Sequence, residues 1–242
     1  MPDTERAAGT TGTDRPTETS AGDGATAATG ATGTTGAAGP TATTGPTATT
    51  GPTATTGPTA TTGPTGTTAG DLAPGLAAAA AGVAGATGRR AVVLIDGRSG
   101  TGKTTLGAQV AEQLGAQLVH LDDVYPGWDG LRAAADAVVT DVLGAPSGYR
   151  RWDWAADAPA GWASVDPDLP IVVEGCGALS QASAPLASLR VWLEADDAVR
   201  WDRAIGRDGE VFAREWDRWA AQEQAFIAAE DPAALADVVL PT

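Results

Sequence analysis

Gly97-Arg98-Ser99-Gly100-Thr101-Gly102-Lys103-Thr104, with what flanks it, constrains the fold of this chain more than any other feature. Before it runs Ala91-Val92-Val93-Leu94-Ile95, a continuous apolar stretch of the kind that forms a strand buried on both faces of a parallel sheet. After it Leu106, Val110 and Leu114 recur four apart, one apolar helical stripe, and Gly115 supplies a C-terminal stop. Strand, glycine-rich turn and helix, in that order, is the setting in which the pattern G-x-x-x-x-G-K-[ST] cradles phosphate. Glycines let the backbone turn tightly and bring its N–H groups up to phosphate oxygens. The helix that follows adds its positive N-terminal end. Residues Gly97 to Thr105 are therefore expected to hold the phosphates of a nucleoside triphosphate, ATP, with Lys103 on the β- and γ-phosphates and the Thr104 hydroxyl on Mg²⁺.

Residue usage supports this. The chain has fourteen arginines and one lysine, and the one lysine is Lys103. A bias that removed lysine elsewhere left it where a compact ammonium is needed and a planar guanidinium does not substitute.

Further strands are expected at Leu118 to Leu121, Ile171 to Val173, Leu189 to Leu193 and Val238 to Leu240. Helices are expected at Leu72 to Ala81 (short), at Leu131 to Leu143, from a cap at Asp196 to about Arg207, and from Val211 to about Ala229. The last carries Phe212, Trp216, Trp219 and Phe226 on one side. Strands alternating with helices predict an α/β, three-layer P-loop nucleotide-binding fold, a parallel sheet of about five strands flanked by helices. In such folds ligands sit beyond the carboxyl ends of the strands.

From Pro2 to Gly70 there is no Leu, Ile, Val, Met, Phe, Tyr or Trp. Such a stretch buries too little to offset the entropy of folding, so residues 1–70 are expected to be a disordered tail and 71–242 the folded domain. Within the tail, GPTATT recurs from Gly39 and ends as GPTGTT at Thr68. Glycine does not fall at every third position, which excludes a collagen helix. A solvated linker is the expectation.

The net charge is −15; the tail's five acids and two arginines account for −3, leaving −12 for the rest. With no basic run, duplex nucleic acid and anionic membranes are not expected partners. The single cysteine, Cys176, forms no internal disulfide, and no signal peptide or membrane-length apolar run is present, so a soluble cytoplasmic protein is expected. His120 and Cys176 are expected to be packing residues.

Three segments narrow the chemistry. In Leu121-Asp122-Asp123-Val124-Tyr125, a carboxylate at a strand end suits a general base toward a substrate hydroxyl or a holder of metal-bound water; two adjacent acids cannot both point inward. Glu174 ends an apolar strand, where a carboxylate partners Mg²⁺. Arg200, Arg203 and Arg207 share one helical face and suit charge stabilisation at a migrating phosphoryl group.

With these residues in view, the chain resembles, over about residues 91–208, the uridine kinase-like branch of P-loop kinases, which also includes phosphoribulokinase and pantothenate kinase. Asp122-Asp123-Val124-Tyr125 is similar to that family's Asp-x-Phe-Tyr segment, with Val in place of Phe. Glu174-Gly175 is similar to its Glu-Gly strand end, and Arg200, Arg203, Arg207 and Asp208 match its arginine helix, from which Glu194, Trp201 and Ala204 depart. The resemblance implies that Asp122 is the catalytic base, that Thr104 and Glu174 form the Mg²⁺ shell, and that Arg203 and Arg207 belong to a mobile lid.

Tyr149 to Trp162, with Trp128, hold four of the eight tryptophans where such kinases build the acceptor pocket. Tyr125, Trp128, Arg150, Arg151 and Trp152 are candidate substrate contacts; the tryptophans fit equally well as filling for a core with two phenylalanines. The expected activity is transfer of the γ-phosphate of Mg·ATP to a hydroxyl of a nucleoside-like or other small polar acceptor. The alternatives are an ATPase or switch acting on a protein partner, and a module that only holds nucleotide.

Overall fold

The computed structural model describes residues 69–242; the expectation of a disordered tail lies outside the described residues. Helix α1 (Ala69–Thr87) is 19 residues, not the short helix expected, and begins two residues before the expected start of the folded domain at 71. It runs on because Ala73, Leu76, Ala77, Ala80 and Ala84 repeat at helical spacing and all are buried.

The sheet contains β1 (Val92–Gly97), β2 (Gln117–His120), β5 (Ile171–Glu174), β6 (Leu189–Glu194) and β7 (Val238–Pro241), in the order β2-β5-β1-β6-β7 with every pairing parallel. This is the five-stranded parallel α/β sheet that the sequence predicts. All six residues of β1 are buried, as a central strand covered on both faces requires. Alternate side chains serve opposite layers. Val93 and Ile95 pack with α1 and α2 (Lys103–Leu114), through Leu106 and Val110. Val92 and Leu94 pack on the other face with α3 (Leu131–Ala137) and with Ala204, Phe212, Trp219 and Phe226 of α4 (Asp197–Glu230).

Helix α2 ends as predicted: Gly115 is left-handed (φ 59°), and its N–H bonds back to the helix. α3 continues into a wider π turn over Val138–Val142. α4 is a single element broken at Gly209 (φ 67°, ψ −154°), close to where the sequence suggests two helices. Asp196 occupies the N-cap position, but its side chain makes no capping bond; its backbone C=O accepts the Arg200 N–H at 2.9 Å instead. One unpredicted element is a hairpin, β3 (Gly148–Asp153) and β4 (Ala158–Ser164), a separate two-stranded antiparallel sheet with a register shift between Arg150 and Trp152. It contains the tryptophan-rich segment. Among the described residues no helix is long and apolar enough to cross a membrane.

Gly100 is where the loop meets α4. Its φ is +83°, and a Cβ there would lie 2.2 Å from the Arg200 carbonyl oxygen. Gly100→Ala is expected to lower unfolding free energy by about 1–3 kcal/mol for the conformation alone, with the backbone clash adding to that. Urea unfolding reads it; an unchanged midpoint would contradict this packing.

Candidate active site

The turn after β1 brings Gly97 to Thr105 to the carboxyl edge of the sheet. Gly102 is left-handed (φ 89°) and hands the chain to α2, so Lys103, Thr104 and Thr105 form that helix's first turn. Lys103 is buried; its Nζ donates to the Arg98 carbonyl at 3.0 Å and lies 3.5 Å from Cys176 Sγ. Burial opposes the charge of Lys103, but the carboxylates of Glu174, Glu223 and Asp96 favour it, and the net shift of its pKa is upward. Thr104 and Thr105 face solvent.

Strand register explains the next group. His120 of β2 pairs with Glu174 of β5, whose other neighbour is Ile95 of β1. Glu174 is therefore buried beside the loop, and His120 Nδ1 meets its Oε1 at 2.5 Å. His120 is thus a partner of the candidate metal residue rather than packing. The hydrogen bond to Glu174 raises the His120 pKa against the opposing effect of burial. Cys176, two residues on, also lies inside the site: its sulfur is 3.7 Å from Ser99 Oγ and 3.3 Å from Glu223 Oε1. Burial pushes that thiol up to about 12, so it stays protonated.

Asp122 sits in the 3-10 turn after β2 (Leu121–Asp123) and keeps contact with solvent. The surrounding protein desolvates it enough to raise its pKa; Glu174 adds to the rise, while Arg207 and Lys103 oppose it. Arg207 forms a two-point pair with Asp208, and Asp122 and Glu174 further raise its pKa. Lys103 at the start of α2, Glu174 at the end of β5 and Asp122 after β2 lie at the carboxyl ends of three neighbouring strands, and the charge of Arg207 acts on Asp122 from α4. Arg203 Nη1 reaches Thr242 Oγ1 at 3.5 Å, and that hydroxyl donates to the Thr101 carbonyl of the loop at 2.9 Å. Arg200, expected beside it, is buried and donates to the Ser99 carbonyl at 3.1 Å and to Asp197 at 2.7 Å.

The substrate candidates divide. Tyr125 is buried, its hydroxyl donates to the Cys176 carbonyl at 2.9 Å, and its ring meets Trp219 edge-on at 4.7 Å. It braces the turn from inside. Trp128 stacks on Phe212 (5.6 Å, 16°) and leans on Trp154 (5.0 Å), half-buried at the rim of the core. Arg150 and Arg151 are exposed on the hairpin, Arg150 donating to the Ala160 carbonyl. Trp152 is half-buried against Gly127, with its Nε1 unpartnered. Trp154 ties the hairpin to the chemistry by donating to the Asp122 carbonyl at 2.7 Å.

Two buried acids were not singled out from the sequence. Asp96 accepts from the N–H groups of Gly97, Gly177 and Leu179, joining the phosphate loop to the turn after β5; burial raises its pKa to about 7. Glu223, on the second half of α4, accepts from the Ser99 N–H at 2.7 Å and pairs with Arg98. Asp96 ends an apolar strand as Glu174 does, a local signal that could have marked it; a lone acid on a helix carries none, and only tertiary packing brings Glu223 to the site.

His120 and Asp96 give stability a defined pH dependence. A raised histidine pKa contributes stability that is complete below the unfolded value of about 6.5 and is lost as pH rises through the folded value. A raised Asp96 pKa means the folded state holds the extra proton from about 4 to about 7, so stability again falls as pH rises. The urea midpoint is expected to be higher at pH 6 than at pH 8.5, with a shallower dependence in His120→Asn; a midpoint rising with pH would contradict both assignments.

A glycine loop, a buried lysine and buried carboxylates thus gather at the carboxyl edge of the parallel sheet of an α/β protein. No family model matches the chain, and no curated protein matches it. Among solved structures it is similar to one described as a possible uridine kinase from Bacillus stearothermophilus, at 20% identity over 63% of this chain and 89% of that one, with a TM-score of 0.44. It is also similar to a gluconokinase from Sinorhizobium meliloti 1021, at 21% identity over 63% of this chain and 83% of that one, with a TM-score of 0.36.

Proposed function

We propose that this chain binds Mg·ATP on the loop Gly97 to Thr105 and transfers the γ-phosphate to a hydroxyl of a small polar acceptor, with a nucleoside-like acceptor first in line. The observation that carries this is that Lys103 at the start of α2, Glu174 at the end of β5 and Asp122 just after β2 stand at the carboxyl ends of three neighbouring parallel strands. Lys103 lies at the mouth of α2 to receive the β- and γ-phosphates. Asp122, with a raised pKa and solvent access, accepts the proton of the attacking hydroxyl. Arg207 offsets charge on the migrating group.

Beside the loop, a cleft of about 380 Å³ lined by Arg98, Thr101, Trp192, Glu194, Arg200 and Thr242 among others is large enough for a nucleobase and sugar. The hairpin, hydrogen-bonded to the Asp122 turn through Trp154, offers Arg150, Arg151 and Trp152 as an acceptor wall.

Magnesium fits the residues present. Thr104 offers an exposed hydroxyl, and Glu174 offers a buried carboxylate of which Oε1 is engaged by His120. These two oxygens would hold the ion together with phosphates and water. When bound, the ion supplies neutralisation of phosphate charge.

An ATP-consumption screen across nucleosides, nucleotides, sugars and small acids tests the reading. Consumption that depends on one acceptor class supports it; consumption indifferent to every acceptor favours an ATPase.

A further inference from the structure

One buried carboxylate has no part in the chemistry just described. Glu223 is 3% exposed and reaches the phosphate loop from the far half of α4. Its Oε1 accepts from the Ser99 N–H at 2.7 Å, and its Oε2 lies 3.4 Å from Arg98 Nε. The N–H of Ser99 and the C=O of Arg98 belong to the same peptide group. That carbonyl is the acceptor for Lys103 Nζ at 3.0 Å, and also for Thr101 Oγ1 at 2.8 Å. Glu223 therefore holds one end of a rigid, planar unit whose other end holds the ammonium.

We propose that Glu223 is a positioning residue for Lys103, acting through the Arg98–Ser99 peptide, and thereby sets the loop's affinity for nucleotides carrying β- and γ-phosphates. A peptide plane can rotate about its flanking bonds unless both of its polar ends are held. Here a carboxylate fixes the N–H, and a charged acceptor makes that bond stronger than a neutral one. The carbonyl is then aimed at Lys103. Arg200 grips the next carbonyl, that of Ser99, at 3.1 Å from the first half of α4. Ser99 is thus held from both sides of the break at Gly209. Gln222, beside Glu223, bonds the Trp128 carbonyl and the Leu131 N–H, which fixes the helix that presents the carboxylate.

This inference rests on the proposal that the loop binds a nucleoside triphosphate. Its test compares Mg·ATP with AMP, which lacks the phosphates Lys103 reaches, by calorimetric titration of the full chain. Glu223→Gln keeps length and an acceptor oxygen and is expected to stay within about threefold of wild type for ATP. Glu223→Ala is expected to lose ATP affinity by roughly tenfold or more, the scale of one well-placed hydrogen bond to a charged group, with AMP affinity unchanged. If Glu223→Ala does not fold, Glu223→Asp carries the same expectation, because its carboxylate stops one methylene short of Ser99. Equal losses for ATP and AMP, or no loss in either shortened variant, would overturn the positioning role. A wild-type chain that binds no triphosphate would overturn the nucleotide reading beneath it.

Discussion

Asp122→Asn is expected to cut phosphoryl transfer by about 10²–10⁴ while leaving ATP affinity within a few-fold of wild type. The amide keeps the shape of the side chain and removes its capacity to take a proton. The turn that holds it survives, because the Val124 and Tyr125 N–H groups bond the Leu121 carbonyl and Trp154 bonds the backbone of residue 122, not its side chain. Glu174 and desolvation raise the Asp122 pKa while Arg207 and Lys103 restrain it, so the carboxyl titrates nearer neutrality than an ordinary aspartate. Activity should accordingly fall as pH drops through that raised value, and this limb should vanish in the variant. Collapse of ATP affinity with residual turnover intact would instead make Asp122 a metal holder.

Lys103→Ala should abolish triphosphate binding. The ammonium is buried near Asp96, Glu174 and Glu223, and its hydrogen bond to the Arg98 carbonyl helps to shape the loop. Removing it takes away the ligand's counter-charge and leaves neighbouring carboxylates uncompensated, so a loss of stability should accompany the loss of binding. Lys103→Met, which retains the buried stem, separates the two: the fold recovers in part and binding does not. Lys103→Arg should also fail, since a planar fork does not fit a site that is 8% exposed and shaped around a point charge. Saturable ATP binding by Lys103→Met would remove the phosphate loop from the account.

The parts of this architecture that depend on local pattern were legible in the sequence. An apolar run, a glycine turn and a four-residue apolar repeat specify β1, the loop and α2 with little help from the rest of the chain. The break in α4 was legible as a gap between a helix ending at about Arg207 and a second starting at Val211, and Gly209 lies in that gap. The hairpin was not: Gly148, Pro159 and Gly161 punctuate its two strands, and no clean alternation runs between them. Partnerships made by packing were equally hidden. His120 joins Glu174 because β2 and β5 are adjacent and in register, although 54 residues apart in sequence. Glu223 reaches Ser99 across 124 residues. Arg200 and Arg203 look equivalent on a helical face, yet one is buried against the loop and the other faces Thr242, a difference set by how α4 docks on Gly100.

The central claim is that the γ-phosphate leaves ATP for a small molecule. Incubating the full chain with Mg²⁺ and γ-labelled ATP, together with the acceptor selected by the consumption screen, and following the label reads this directly. The account predicts label on the acceptor's hydroxyl, formed by wild type and absent with Lys103→Met. Label released only as inorganic phosphate, at a rate unaffected by any acceptor, would contradict it.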